Sequence, residues 1–244
     1  MSTHPARRVV SLVPSLTESV LSWGVVPVAC TRFCERPELP TVGGTKDPDL
    51  DAIVALKPDV VLLCEEENRL EDYQALRAHN ISCHSVRIDD VEDVGPALAS
   101  VADAVGVGSG PGLGFDPATW ALPDPLAGRG LRVFVPVWRR PWMSLSGGTY
   151  GSSMLRRLGW EPLFADAETR YPEVSLEQIL AAGPDRVLLP TEPYPFKERH
   201  LEEWAGVAPA ALIDGQDLFW WGTRTPTALR RLAVALTPAT PPRP

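Results

Sequence analysis

The residues able to do chemistry gather where apolar, strand-like runs end. In the carboxy-terminal half, Trp138-Arg139-Arg140-Pro141-Trp142, Glu192-Pro193-Tyr194-Pro195-Phe196 and Phe219-Trp220-Trp221-Gly222-Thr223-Arg224 each follow such a run. These stretches hold four of the eight tryptophans and three arginines. Aromatic planes interleaved with guanidinium groups suit a large flat ligand with anionic edges, through stacking, cation–π attraction and bidentate carboxylate pairing. In the amino-terminal half the matching positions are Pro14-Ser15, Thr31-Arg32-Phe33, Gly43-Gly44-Thr45-Lys46 and Cys64-Glu65-Glu66-Glu67-Asn68. Each has a plainer reading. Trp220-Trp221 would also serve as an apolar plug under the last helix, Arg139 and Arg140 as solvated charges, and the three glutamates as the acidic first turn of a helix. Ser15 reads first as a helix N-cap and second as a donor to an anion at that helix end.

Cys30, Cys34 and Cys64 invite a metal reading, but Cys-x3-Cys with no paired histidine motif is a weak pattern, and buried thiols are the simpler expectation. No G-x-S-x-G, H-E-x-x-H, phosphate loop or G-x-G-x-x-G occurs. Of the 244 residues 44% are hydrophobic and 22% charged, with a net charge of −8. That balance argues against nucleic acid and anionic membrane as main partners, and no apolar run is long enough to span a bilayer. Residues 1–8 lead straight into an apolar strand without an apolar leader, which predicts a cytoplasmic protein with reduced cysteines.

The elements that position these residues come in two copies. Leu50-Asp51-Ala52-Ile53-Val54-Ala55-Leu56-Lys57-Pro58-Asp59-Val60-Val61-Leu62-Leu63 recurs in register as Leu176-Glu177-Gln178-Ile179-Leu180-Ala181-Ala182-Gly183-Pro184-Asp185-Arg186-Val187-Leu188-Leu189. Each copy reads as a short helix, a Pro-Asp turn and a buried strand, and the alignment matches Glu66 with Glu192. Ser15-Leu16-Thr17-Glu18 and Ser175-Leu176-Glu177-Gln178 both have the spacing of a capping box. Strands are expected at 9–13, 27–30, 60–63, 82–88, 131–137, 162–165, 186–189 and 211–213. Helices are expected at 15–23, 68–78, 92–105 (flawed by Gly95-Pro96), 149–158 and 226–236, with a loop at 214–224. Alternation of this kind implies βαβ units and parallel sheets. Ligands then bind beyond the carboxyl ends of the strands.

Residues 106–130 are dense in glycine and proline and read as a connection between lobes, with at most one turn around 118–121. The expected organisation is an amino-terminal α/β lobe at 1–105, the connection at 106–130, a carboxy-terminal α/β lobe at 131–236, and a disordered tail at 237–244.

The stretches 8–18, 24–28 and 49–61, with the second copy of the repeat, resemble the class III substrate-binding proteins of ABC importers, the helical-backbone metal receptors that take cobalamin and iron siderophores. The resemblance covers roughly 200 residues of both lobes. It implies an α/β fold of two Rossmann-like lobes with parallel sheets around a central cleft, the bridging helix shortened or absent. It also implies a ligand in that cleft and no catalysis. Carried over by position, Pro14, Ser15, Arg32, Cys64, Glu65, Glu66, Trp138, Trp142, Phe219, Trp220 and Trp221 would line the cleft; Arg139, Glu192, Tyr194 and Arg224 join them from their strand-end positions. Glu161 falls where relatives place an acid for docking to a permease. Delivery to an external permease is not expected of a chain that reads as cytoplasmic, which leaves that role open.

The expected function is thus non-enzymatic binding of a metal chelate of the corrinoid, haem or ferric-siderophore kind, with no resident metal. A metal-handling or chelatase-like enzyme using Glu66 and Glu192, or a scaffold gripping a partner protein, are the alternatives.

Overall fold

Strands that are apolar on both faces need cover on both faces, and the sequence supplies a helix after nearly every one. The computed structural model describes residues 7–108 and 130–236. Its contacts divide the chain into two compact units, one of residues 7–88, 92–108 and 221–223, the other of residues 89–91, 130–220 and 224–236.

In the first unit the order is β1 (Val9–Ser11), α1 (Pro14–Ser22), β2 (Ala29–Cys30), α2 (Leu50–Ala55), β3 (Val60–Cys64), α3 (Leu70–Ala78), β4 (Cys83–Val86) and α4 (Val94–Val105). The strands form one parallel sheet in the order β2-β1-β3-β4. Ile53 of α2 and Leu76 of α3 pack with Val10, Leu12, Val61 and Leu63 in one core. Val60, Leu62 and Cys64 alternate to the other face and are buried as well.

The second unit contains β5 (Leu131–Phe134), β6 (Pro136–Trp138), β7 (Trp142–Ser144), α5 (Tyr150–Arg157), β8 (Trp160–Pro162), β9 (Glu173–Val174), α6 (Leu176–Ala182), β10 (Arg186–Pro190), β11 (Ala210–Ile213), α7 (Gly215–Phe219) and α8 (Thr225–Leu236). Its parallel sheet runs β8-β5-β10-β11, the same arrangement as in the first unit, with β5 for β1 and β10 for β3. A three-stranded antiparallel sheet, β6-β7-β9, is added. The sequence repeat is therefore a repeat of helix, turn and central strand.

One device recurs at the start of both central strand pairs. Arg8 N–H donates to Asp59 Oδ2 (2.7 Å) and Asp59 N–H donates back to Arg8 O (2.8 Å), while the Arg8 guanidinium reaches Leu56 O (2.8 Å) at the end of the preceding helix. In the second unit Arg132 N–H donates to Asp185 Oδ2 (2.8 Å), Asp185 N–H to Arg132 O (2.8 Å), and the Arg132 guanidinium to Ala182 O (2.6 Å). The aspartate of each Pro-Asp turn thus sets the register of its strand against the neighbour and ties in the helix end.

Several local expectations are corrected. Ser15 is not an N-cap: Val13 holds that position, Pro14 is the first helical residue, and no side chain caps α1. Proline at N1 already supplies the helical φ and lacks an N–H to satisfy. At Ser175 the box does form, with Gln178 N–H to Ser175 Oγ (3.1 Å) and Ser175 N–H to Gln178 Oε1 (2.7 Å). Gly95-Pro96 does not break α4, because Pro96 sits in the first turn, where the missing N–H has no partner to lose. The run 131–137 splits between two sheets after Phe134, and 214–224 contains α7, capped by Asp214. The acids 65–67 form a turn ahead of α3 rather than its first turn. The tail at 237–244 and the connection, apart from 106–108 and 130, lie outside the described residues.

Asp59→Ala and Asp185→Ala should each cost about 1 kcal/mol, less than a buried charged hydrogen bond because Asp59 and Asp185 are exposed. Asp51→Ala, exposed in the first turn of α2, should cost less than ~0.5 kcal/mol. Urea unfolding of the three variants checks the ranking.

Candidate functional site

The strand-end rim of the first unit is held by Asn68, the last residue of the stretch that follows β3. Asn68 is buried; its Oδ1 accepts from Cys64 N–H (2.9 Å), and its Nδ2 donates to Leu12 O (3.2 Å) and Thr45 O (3.0 Å). One amide thereby fastens the ends of β1 and β3 to the 43–46 loop. An asparagine closing an acidic run offers no local signal for this, since its partners lie far along the chain.

On that frame Arg32 extends half-exposed from the turn after β2. It pairs with Asp47 through both carboxylate oxygens (2.9 and 3.0 Å) and lies over the Phe33 ring at 4.7 Å. A side chain at Gly44 would come within 2.8 Å of the Arg32 guanidinium carbon, so glycine there permits the approach. Lys46 Nζ donates to Glu66 O (2.6 Å). Glu65 is exposed, with Arg87 at 4.0 Å; Glu66 and Glu67 are half-buried. Burial and the neighbouring Glu66 charge push the Glu67 carboxyl above the usual range, against the pull of Lys46. Pro14 is half-buried, while Ser15 and Cys64 expose almost nothing; burial pushes the Cys64 thiol up to about 12. Trp221 belongs to this unit and is 4% exposed; the adjoining Thr223 N–H donates to Ser19 Oγ (3.2 Å).

In the second unit Trp138 and Trp142 flank the tip of the β6–β7 hairpin rather than a simple strand-end loop. Trp138 is 45% exposed and meets the edge of Tyr194 at 5.5 Å. Trp142 turns into the core, parallel to Phe196 at 6.3 Å and against Phe134 and Trp204. Arg139 is committed to Glu203 (2.7 and 3.2 Å) and lies 5.9 Å from Trp142. Arg224 is largely buried beside Asp217 (3.7 Å) and over Trp220 (5.2 Å); Asp217, itself buried, also receives Arg231. Phe219 and Trp220 are half-buried at the end of α7, with Phe219 against Gly151. Glu192 is half-buried, and Gly215 leaves room for it: a side chain there would fall 2.5 Å from Glu192 Cγ.

The arrangement presents aromatic faces and paired guanidiniums rather than a nucleophile with a base. Among the described residues no group of three or more His, Cys, Asp or Glu is placed to hold a metal ion. Ser15, Cys64 and Trp221, expected as ligand contacts, offer almost no surface, and Trp142 is mainly a core residue. Asp47, Glu203 and Asp217, which pair with Arg32, Arg139 and Arg224, were missed because the fold rather than the sequence spacing brings each pair together.

No protein-family model matches the chain. Among curated proteins it is 27% identical over 190 residues to a vitamin B12-binding protein of Vibrio cholerae, covering 74% of this chain and 69% of that one. It is 28% identical over 198 residues to the vitamin B12-binding protein of Salmonella paratyphi A, covering 76% and 73%. Among solved structures it superposes on the periplasmic vitamin B12 binding protein BtuF of Vibrio cholerae with a TM-score of 0.79 (20% identity; 95% of this chain, 97% of that one). It superposes on the periplasmic heme-binding protein BhuT, solved with two hemes, with a TM-score of 0.82 (22% identity; 95% and 98%). This is the class III substrate-binding-protein fold. The expected fold class and resemblance stand. The expected cytoplasmic location does not: the two solved structures just named, and the heme-binding protein RhuT from Roseiflexus sp. RS-1, are of periplasmic proteins.

The aromatic cluster has an acid-sensitive member. His200 Nδ1 accepts from Lys197 N–H (2.9 Å), beside Tyr194 and Phe196. Burial, then the charges of Arg199, Arg139 and Lys197, hold its pKa below 6.5 against the opposing pull of Glu203. The unfolded imidazole then takes up a proton before the folded one. Stability present above pH 6.5 is lost as the pH falls through the folded value. His200→Asn, which keeps an acceptor but cannot titrate, should flatten this loss; urea midpoints from pH 7.5 down to 5 compare the two chains.

Proposed function

We propose that this chain is a non-enzymatic receptor for a planar metal chelate of the corrinoid or porphyrin kind, working outside the cytoplasm with an ABC importer. The observation that carries the reading is Trp138. It is a large aromatic plane left 45% exposed at a hairpin tip and braced from the side by Tyr194. An exposed, immobilised indole is suited to stacking on a macrocycle at low entropic cost. Trp220, with the Arg224 guanidinium over its ring, extends the same chemistry within that unit. The relatives point the same way, being named for vitamin B12 and heme. Each named relative is a binding protein, which leaves the chelatase alternative without support. Glu161, exposed on β8, is the docking candidate for the importer.

The arginines refine the reading. Arg32 is the accessible guanidinium, whereas Arg139 and Arg224 are largely buried against carboxylates. Arg32 is therefore the guanidinium able to exchange its carboxylate partner for another anion; Arg139 and Arg224 lie by Trp142 and Trp220.

Titration of the purified chain with cobalamin, haemin and a ferric siderophore, followed by tryptophan fluorescence and visible absorbance, tests the proposal. At least one should bind with Kd below about 10 μM, or roughly −7 kcal/mol. No Kd tighter than about 100 μM for any of them overturns the reading. Trp138→Ala should weaken binding by about tenfold or more, roughly 1.4 kcal/mol, with the urea midpoint unchanged.

A further inference from the structure

The turn after β2 holds two thiols that the ligand reading does not use. Cys30 is fully buried at the end of the strand, and Cys34 is 4% exposed. With Leu39 they form a small apolar cluster apart from the main cores. Cys34 N–H donates to Thr31 O (3.1 Å), which folds the chain back and brings both cysteines into that one buried cluster. Two hydroxyls converge on the same sulfur: Thr17 Oγ1 and Thr31 Oγ1 each lie 3.2 Å from Cys34 Sγ. The one Thr17 proton also has Val13 O within 3.1 Å, so the hydroxyl can turn from carbonyl to sulfur when the sulfur becomes charged. The Cys30 thiol, then Thr17 and Thr31, draw Cys34 down to about 6 against its own burial, while Cys30 is raised. A thiol serving only as packing has no need of this reception.

We propose that Cys30 and Cys34 are a redox-active dithiol that closes to an intramolecular disulfide by exchange with a small-molecule disulfide such as glutathione disulfide. The Cys34 thiolate attacks one sulfur of the reagent, whose S–S bond breaks and expels a thiolate that takes up the proton Cys34 released. Cys30 then attacks Cys34 in the mixed disulfide, and its proton passes to the second departing thiolate. The protein loses two electrons and the reagent is reduced to two thiols. Because both sulfurs are buried, exchange proceeds through opening of the 31–40 turn and is slower than reaction of the half-buried Cys83. The ring that closes contains Thr31, Arg32 and Phe33. Oxidation therefore fastens the exposed Arg32–Phe33 pair. That consequence for binding rests on the proposed function; the dithiol chemistry does not.

The test equilibrates the full chain in glutathione buffers of increasing oxidation, quenches with acid, alkylates free thiols and maps the peptides by mass. The expected product has lost two hydrogens and joins Cys30 to Cys34. Cys30→Ser should stop at a glutathione adduct on Cys34, and Cys34→Ser should leave Cys30 unmodified, with circular dichroism confirming that both variants fold. A pair that stays reduced while Cys83 is modified, a glutathione adduct that persists on Cys34 in the unaltered chain, or one zinc ion per chain protecting both thiols would overturn the proposal. The chelate titration is then repeated on both redox forms, with Kd expected to shift by about threefold or more. An unchanged Kd removes the link to the rim. Disulfide formation in a chain that binds no chelate sinks the proposed function alone.

Discussion

Each unit is organised by one carboxylate. Asp59 and Asp185 close a two-way hydrogen bond with the backbone of Arg8 and Arg132, at the point where the central strand begins to pair with its neighbour. A parallel pair has no hairpin to set its register, so something else must, and a slip of one residue would exchange the faces of every side chain. The arginine completes the device by holding the last turn of the helix that precedes the aspartate. Helix, turn and two strands are locked together before any side chain of the core is considered. The carboxyl ends of those strands, where the candidate site residues lie, inherit their positions from this lock.

The second constraint is charge. The sequence places arginines among aromatics, and that pattern reads as a surface for anions. The structure answers most of those charges internally: Arg139 with Glu203, and Arg224 and Arg231 with Asp217. A largely buried guanidinium left without a carboxylate would carry a desolvation cost that no surface ligand could offset in its absence. The pairing also has a mechanical result, since Arg139 lies by the Trp142 ring and Arg224 by the Trp220 ring. Arg32 differs because its partner Asp47 is itself exposed, and an exposed pair is weak enough to exchange.

How far the sequence could be read follows from the range of each interaction. The helix–turn–strand repeat was legible because its signals are local: apolar periodicity, a Pro-Asp turn and a capping box at Ser175 that forms as the spacing requires. The same spacing at Ser15 failed because Pro14, one residue earlier, already starts the helix. The split of 131–137 was hidden because an apolar run does not say which sheet each half joins. The candidate site was legible in residue type and place along the chain but not in orientation. Nothing near Trp142 or Trp221 distinguishes a side chain that turns inward from one that faces solvent. Asn68 was invisible for the same reason, its partners Leu12 and Thr45 being supplied by the fold.

The β6–β7 hairpin shows why inward and outward tryptophans belong together. Trp142 opens β7 and is clamped among Phe134, Phe196 and Trp204, a set of rings that no solvent-facing loop could hold. Trp138 closes β6 across the same tip and is left half in solvent, with Tyr194 against its edge; Tyr194 in turn packs on Phe196 and His200. The exposed ring therefore rests, through one intermediate, on the same aromatic core that anchors the half-buried one. A loop carrying a lone tryptophan would lose rotamer freedom on gripping a flat ligand. Here that freedom has been given up in folding, so stacking of a flat molecule on this ring would cost little further entropy. The anchoring of the half-buried Trp142 is thus what steadies the half-exposed Trp138.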